Sequence, residues 1–231
     1  MDFSQRSTEP ELMDTQCADY QDYARCLADL EQVNKITLTH RPVLAWLAEQ
    51  TKGLTSFSLL DVACGHGDLL RRIDAFARRR GLAARLEGID LNPWSTEAAR
   101  AATPDSDIIF RTGNVFDFEP EQRFDFIVSS QFLHHLTDED VTSFILWQEA
   151  HADRGWFIAD LHRHWFPYYG FGVLATAARW HRLIRYDGRV SIARAFKADE
   201  LRHQLEAAGV QANVAWHMPF RLCVSRTRVQ E

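Results

Sequence analysis

The stretch Leu59-Leu60-Asp61-Val62-Ala63-Cys64-Gly65-His66-Gly67-Asp68-Leu69-Leu70 constrains this chain more than any other. An apolar run ends in an acid, two glycines follow with one residue between them, and a helical pattern begins at once. That order predicts a strand, a tight turn and a helix. The glycines remove Cβ atoms that would block a ligand from the backbone. Unpaired N–H groups at a helix start favour a negative group on that ligand. Asp61, at the strand tip, adds the opposite preference. Its charge repels a pyrophosphate and suits an ammonium or a sulfonium.

Two further signals follow in order. Leu86-Glu87-Gly88-Ile89-Asp90-Leu91-Asn92 reads as a second strand ending in an acid, 23 residues after Gly67. A carboxylate there can accept both hydroxyls of a ribose. Asp90 could instead cap the helix that begins near Pro93, although Asn92 suits that job better. After the short strand Ile108-Ile109-Phe110-Arg111 comes Gly113-Asn114-Val115-Phe116-Asp117, where Asp117 also has a plain reading as a turn acid.

These three motifs resemble those of the class I S-adenosylmethionine-dependent methyltransferases. In that family an acid stands shortly before Gly-x-Gly; here Asp61 precedes Gly65 by four positions, with Cys64 and His66 in variable slots. A nicotinamide or flavin dinucleotide fold would want a third small residue at position 70, where Leu70 is large. The resemblance covers about residues 57–160 and implies S-adenosylmethionine as cofactor. It implies that Asp61, Ala63, Cys64, Gly65 and Gly67 form the donor loop, that Asp90 and Leu91 hold the ribose, and that Asn114, Val115 and Asp117 border adenine. Ser130 at the end of strand four is carried over as a further donor contact. A helix ahead of the first strand would close over the donor, with Arg41 offered to its carboxylate; a surface Arg is the alternative.

Strands are expected at 57–63, 84–90, 107–112, 124–130 and 155–160, alternating with helices at 67–80, 94–101 and 138–150. Such alternation implies a parallel sheet with helices on both faces. A helix near 198–208, then Val210–Met218 and Phe220–Arg226 around Pro219, suggests a terminal hairpin. The fold class is therefore α/β. The resemblance makes it a Rossmann-like, doubly wound seven-stranded sheet in the order 3-2-1-4-5-7-6, with strand 7 antiparallel. Two helices precede the sheet, at about Met13–Asn34 and Pro42–Gln50, behind a loose tail over residues 1–11. Residues 1–50 are read as tail and helical cap, and 51–231 as the methyltransferase domain with an aromatic insertion at about 162–190.

Strand four runs into Gln131-Phe132-Leu133-His134-His135. Many small-molecule methyltransferases carry a His-His pair here, and nucleic-acid amino-methylating members carry an Asn/Asp-Pro-Pro-Tyr-like motif that this chain lacks. An ordinary histidine can take a proton from a hydroxyl near neutral pH. His134 and His135 are the catalytic candidates, with His134 preferred as nearer the strand end. Asp160, His162 and His164 show no metal-ligand spacing, so no metal is expected. His162, Trp165, Tyr168 and Tyr169 are candidates for contacting the acceptor. Trp165–Leu174, crowded with aromatics and broken by Pro and Gly, suits a pocket lid or core packing equally. Arg185-Tyr186-Asp187-Gly188 reads as a turn.

A net charge of −6 disfavours a nonspecific nucleic-acid partner. The uncharged stretch Trp165–Ala178 is 14 residues long, short of the ~20 that span a bilayer, so no stable membrane insertion is expected. Cys17, Cys26, Cys64 and Cys223 form no metal or disulfide framework, and no apolar leader opens the chain, which fits a reducing cytoplasm. The expected activity is methyl transfer to a small aromatic or lipophilic acceptor, at a hydroxyl oxygen, by a monomer or a homodimer. Asp160-Leu161-His162-Arg163, the aromatic segment, Asp187-Gly188 and Phe220-Arg221-Leu222 resemble bacterial methyltransferases that accompany type III polyketide synthases, which would make the acceptor a polyketide. Two rivals stay open: a nicotinamide- or flavin-dependent oxidoreductase, and a noncatalytic donor-binding protein.

Overall fold

The computed structural model describes residues 2–13, 19–180 and 182–228; Cys17 and part of the expected first helix lie outside them. Seven strands form one sheet: β1 (Ser56–Val62), β2 (Ala83–Asp90), β3 (Ile109–Thr112), β4 (Phe124–Ser130), β5 (Ala152–Leu161), β6 (Asn213–His217) and β7 (Arg221–Thr227). Their order is β3-β2-β1-β4-β5-β7-β6. β7 runs antiparallel to both β5 and β6, and the other pairs are parallel.

The central strands are apolar at consecutive positions because both faces are covered. Leu60 and Val62 of β1, Ile127 of β4 and Trp156 of β5 point into one core layer with Phe144 and Leu201. Phe57, Leu59, Phe126 and Phe157 point into the other, against Leu47, Leu70 and Ile73. Each such side chain contributes about 1.5–3 kcal/mol when fully buried. The first layer is closed by α5 (Asp138–His151) and α8 (Ala198–Ala207), the second by α2 (Arg41–Gln50) and α3 (Asp68–Arg80). α1 (Tyr20–Ile36), α4 (Pro93–Ala101), α6 (Trp165–Ala177) and α7 (Arg182–Arg194) complete the helices. Among the described residues no helix is long and apolar enough to cross a membrane.

Two expectations are corrected. The described part of the expected loose tail is docked. The Ser7 N–H donates to the Ala193 carbonyl at 3.0 Å, and Arg163 donates to the carbonyls of Phe3 and Ser4. The Arg6 guanidinium stacks 3.7 Å from the Phe196 ring and pairs with Asp138 at 2.7 Å. Second, Arg185–Gly188 is not a turn but the middle of α7. A Cβ on Gly188 would lie 2.2 Å from Phe171, so this glycine lets α6 and α7 pack closely. Asp187 accepts the backbone N–H groups of Leu12 and Met13, at 2.7 and 2.9 Å, instead of closing a turn.

Candidate active site

The carboxyl ends of β1, β2 and β4 open into a cavity of about 780 Å³. That lies within the range of small-molecule and cofactor sites. Of the residues assigned to the donor from the sequence, Asp61, Ala63, Cys64, Gly65, Asp90, Leu91, Asn114, Val115 and Ser130 line it. Ala63 and Gln131, the residues that leave β1 and β4, both hold φ of 58°. A side chain in this left-handed region is strained and clusters at functional sites.

The electrostatics of this cavity favour a cation. Asp61 is 2% exposed, and among the described residues no donor is bonded to its carboxylate. Burial, then Asp68 and Asp90, push its pKa well above the usual carboxylate range. An ammonium would relieve that. Asp68 behaves oppositely: burial would raise it, yet His40 at 2.6 Å and Asn34 at 3.1 Å hold it down at about 2. Asp90 accepts N–H bonds from Gly65 at 2.9 Å and Asn92 at 3.0 Å, while burial keeps its pKa raised. It shapes the loop and leaves oxygen lone pairs for ribose hydroxyls. Asn92 caps α4 by accepting from the Trp94 N–H, which settles the choice of cap.

α1 roofs the cavity with Tyr23, Leu27, Leu30, Glu31 and Asn34. Glu31 ties it to the donor loop through His66 at 2.9 Å and Arg71 at 2.6 Å. Asn34 also accepts from Gln131 at 3.0 Å, linking α1 to the tip of β4.

Several expected contacts fall elsewhere. Arg41 is exposed at the first position of α2 and does not line the cavity; its neighbour His40 does. Gly67 does not line the cavity either. Its φ is 71° and a Cβ there would meet Phe110 at 2.7 Å, so it serves the packing of α3. Asp117 stands off the cavity, and Phe116 takes its place in the wall.

The histidine pair sits where this cavity meets a second, apolar chamber of about 470 Å³. Glu11, Met13, Leu30, Asn34, Gln131 and His135 line both spaces. His134 is 2% exposed, and its Nδ1 lies 2.8 Å from Asp160 while its Nε2 faces Glu11 at 3.5 Å. Burial opposes charge on this ring, but the two carboxylates outweigh it and raise its pKa to about 9. His134 is therefore a cation at neutral pH and holds no lone pair for a substrate proton. His135, stacked 4.3 Å from it, is more open to the cavity, and the protein packed around its ring together with the charge on His134 lowers its pKa to about 4. His135 is thus the neutral imidazole of the pair and the one that lines the first cavity. Glu11 is held at about 2 despite its burial, because His134, His135 and Ser191 bond to or face it. Ligand atoms of Glu11, His134 and His135 lie within 4.8 Å of one another, so among the described residues the metal-capable group is this one and not the Asp160-His162-His164 run.

The aromatic segment divides by face. Phe166, Pro167, Gly170, Phe171 and Leu174 line the chamber with His162, Leu161 and Ile192. Trp165 and Tyr169, expected to contact the acceptor, turn outward at 57% and 54% exposure. Tyr168 packs on Phe3 and on Arg189 instead. Sequence reading missed Glu11, which sits in a polar stretch and gives no signal of its own. It also missed Asp68, whose position at the start of the helix after Gly67 was legible.

Residues 59–151 match the methyltransferase domain family. The fold around that stretch is the Rossmann-like one of the class I S-adenosylmethionine-dependent methyltransferases. The cofactor of this family is S-adenosylmethionine, and the unpaired Asp61 carboxylate and the lone pairs of Asp90 fit its ammonium and its ribose. Two curated relatives share short stretches with this chain. Trans-aconitate 2-methyltransferase of Escherichia coli O1:K1 / APEC is 35% identical over 80 residues, which is 35% of this chain and 29% of that protein. The tRNA1(Val) (adenine(37)-N6)-methyltransferase of Porphyromonas gingivalis is 36% identical over 95 residues, 37% of this chain and 36% of that protein. The match thus spans about a third of the length of either relative. Among solved structures, the plantazolicin methyltransferase BpumL bound to S-adenosylhomocysteine superposes with a TM-score of 0.67 at 12% identity, covering 93% of this chain and 91% of that one. Magnesium protoporphyrin IX methyltransferase from Synechocystis PCC 6803 gives 0.57 at 16% identity, covering 92% and 89%. Human N-acetylserotonin methyltransferase with S-adenosylmethionine gives 0.62 at 14%, covering 92% of this chain and 57% of that one. At these identities the likeness is one of fold.

Proposed function

We propose that this methyltransferase transfers a methyl group to a hydroxyl oxygen of a small, aromatic or lipophilic acceptor held in the apolar chamber. One observation carries the reading: the chamber opens on the donor cavity at a wall that holds a neutral histidine, His135. The bound cofactor supplies an electrophilic methyl on a sulfonium. Asp61 would receive its ammonium, Asp90 its ribose hydroxyls, and Asn114, Val115 and Phe116 its adenine. Gln131 and His135 at the shared wall then fix where the acceptor oxygen sits. In-line displacement gains most of its rate from such positioning. Its chemistry needs a base only because a hydroxyl keeps its proton at neutral pH. His135 takes that proton. A phenol gives up that proton more readily than an aliphatic alcohol, and a hydroxylated aromatic polyketide belongs to that class.

The test follows methyl label from S-adenosylmethionine into matched phenols and anilines, with bulk tRNA as a third acceptor. The reading predicts label on phenol oxygen. It predicts that His135→Gln lowers kcat by about a hundredfold, in the usual range for loss of a general base, with donor affinity unchanged. Label on nitrogen or on tRNA, or full activity in His135→Gln, would overturn it.

A further inference from the structure

Among the described residues the chamber holds one buried cation that no acid pairs with, Arg221. It is the first residue of β7 and is 5% exposed. Its Nη2 donates to the hydroxyls of Thr39 at 2.7 Å and Thr37 at 3.2 Å. Among the described residues its buried Nε has no hydrogen-bond partner, and Nη1 has none either. Burial lowers its pKa only to about 10, so the guanidinium keeps its charge at neutral pH. Asp160 is the acid that acts on it electrostatically, but that carboxylate is committed to His134 and to the Leu161 N–H. The acids that line the chamber are also engaged. Glu11 accepts from Ser191 at 2.7 Å and faces His134; Asp187 accepts two backbone N–H groups of the N-terminal segment.

A second unpartnered atom lies in the same chamber. Among the described residues His162 Nδ1 is buried without a hydrogen bond; the His162 N–H donates to the Phe220 carbonyl at 3.2 Å and Leu161 pairs with Arg221, so both side chains come to the wall of one chamber from the adjoining ends of β5 and β7. Burial, His164 and Arg163 lower its pKa, so the ring is neutral and one nitrogen can donate. Buried polar groups are almost always satisfied, and buried charges almost always paired, so two exceptions lining one cavity call for a ligand that completes them.

We propose that the acceptor carries a carboxylate, which Arg221 and His162 hold while the hydroxyl to be methylated faces His135. This rests on the chamber being the acceptor site. A planar guanidinium with free edges matches a carboxylate in shape as well as charge. Arg221 lines the chamber and not the donor cavity, so the anion is anchored away from the transferred methyl. The carboxylate is a spectator. The hydroxyl oxygen forms the new bond to the methyl carbon, the carbon–sulfur electron pair returns to sulfur, and the hydroxyl proton passes to His135. The substrate class is thus an aromatic or lipophilic hydroxy acid, and the three walls that read it are the apolar lining, the His135 wall and the Arg221 end.

The test compares 2-naphthoate with 2-naphthamide, which share one shape and differ in charge, by calorimetric titration with and without saturating S-adenosylhomocysteine. The proposal predicts that the wild-type protein binds naphthoate at least about tenfold more tightly, the effect of a hydrogen-bonded charge. Arg221→Met should abolish the preference while S-adenosylhomocysteine still binds, and Arg221→Lys should restore part of it. Equal binding of the two probes, no binding of either, or a preference that survives in Arg221→Met would overturn the proposal. The wild-type ratio alone decides if Arg221→Met does not fold. S-adenosylhomocysteine binding in the same preparation separates this failure from failure of the donor reading.

Discussion

Replacing Asp160 with asparagine should remove the alkaline dependence of stability. Asp160 accepts the His134 Nδ1–H at 2.8 Å and the His134 backbone N–H at 3.0 Å. With Glu11 it overcomes the burial of the imidazole and moves its pKa from 6.5 to about 9. A gap of that size is worth about 3 kcal/mol, at about 1.4 kcal/mol per pH unit. The folded value is the higher one, so this stabilisation is full below pH 6.5 and is lost as pH rises through about 9. Urea unfolding of the wild-type protein from pH 6 to pH 9 should therefore show a loss approaching about 3 kcal/mol. The buried thiols Cys64 and Cys223, both pushed up by burial, add to this only at higher pH. Asp160→Asn keeps the shape and one acceptor oxygen but leaves Glu11 as the only near counter-charge. Its stability should vary by less than about 1 kcal/mol over the same range, from a lower value at pH 6. An undiminished alkaline loss in the variant would refute the charge network beneath the site.

Gly88 of β2 faces Cys64 Sγ and Leu70 Cδ1, each 2.8 Å from where a Cβ would stand. Gly88→Ala should cost about 1–3 kcal/mol by overpacking and weaken S-adenosylhomocysteine binding through the displaced loop; calorimetry and an unchanged melting temperature would speak against it. Dialysis against EDTA should alter methyl transfer by less than twofold, because at neutral pH the His134 nitrogens are protonated and face Asp160 and Glu11. Activity lost to EDTA and regained with a divalent ion would show instead that Glu11, His134 and His135 bind metal. Acid should also weaken the fold. Glu11 and Asp68 are both held at about 2, below their ordinary 4.5 and 3.8, so their stabilisation is present above those values and fades as pH falls towards 2. A melting temperature that is flat from pH 5 to pH 2.5 would contradict this.

The sheet and donor loop were legible because their signals are local. Apolar runs mark β1, β2 and β4, and Gly65, Asp61 and Asp90 carry their chemistry within a few residues of a strand end. The apolar chamber was not, because its groups meet across long separations. Glu11 is buried by Ser191 and His134, and nothing in a polar stretch near residue 11 announces that. The roles of the two histidines could not be told apart by their distance from the strand. Which carboxylates surround each ring decides which is charged, and those come from the N-terminal segment and from β5. Arg185–Gly188 misled because Asp-Gly chemistry favours turns, while close packing of Gly188 on Phe171 and the demand of two N–H groups for Asp187 favour a helix. Arg41 starts its helix on the exposed side, and it is the neighbouring His40 that reaches Asp68 in the cavity wall.

Binding of the cofactor's demethylated product tests the central claim most directly. The wild-type protein and Asp90→Ala would each be titrated by calorimetry with S-adenosylhomocysteine and with reduced nicotinamide dinucleotides. The account predicts one site for S-adenosylhomocysteine, weakened at least about tenfold in the variant by loss of the ribose and loop contacts, and no nicotinamide binding. Nicotinamide binding without S-adenosylhomocysteine binding, in protein shown to be folded, would contradict it.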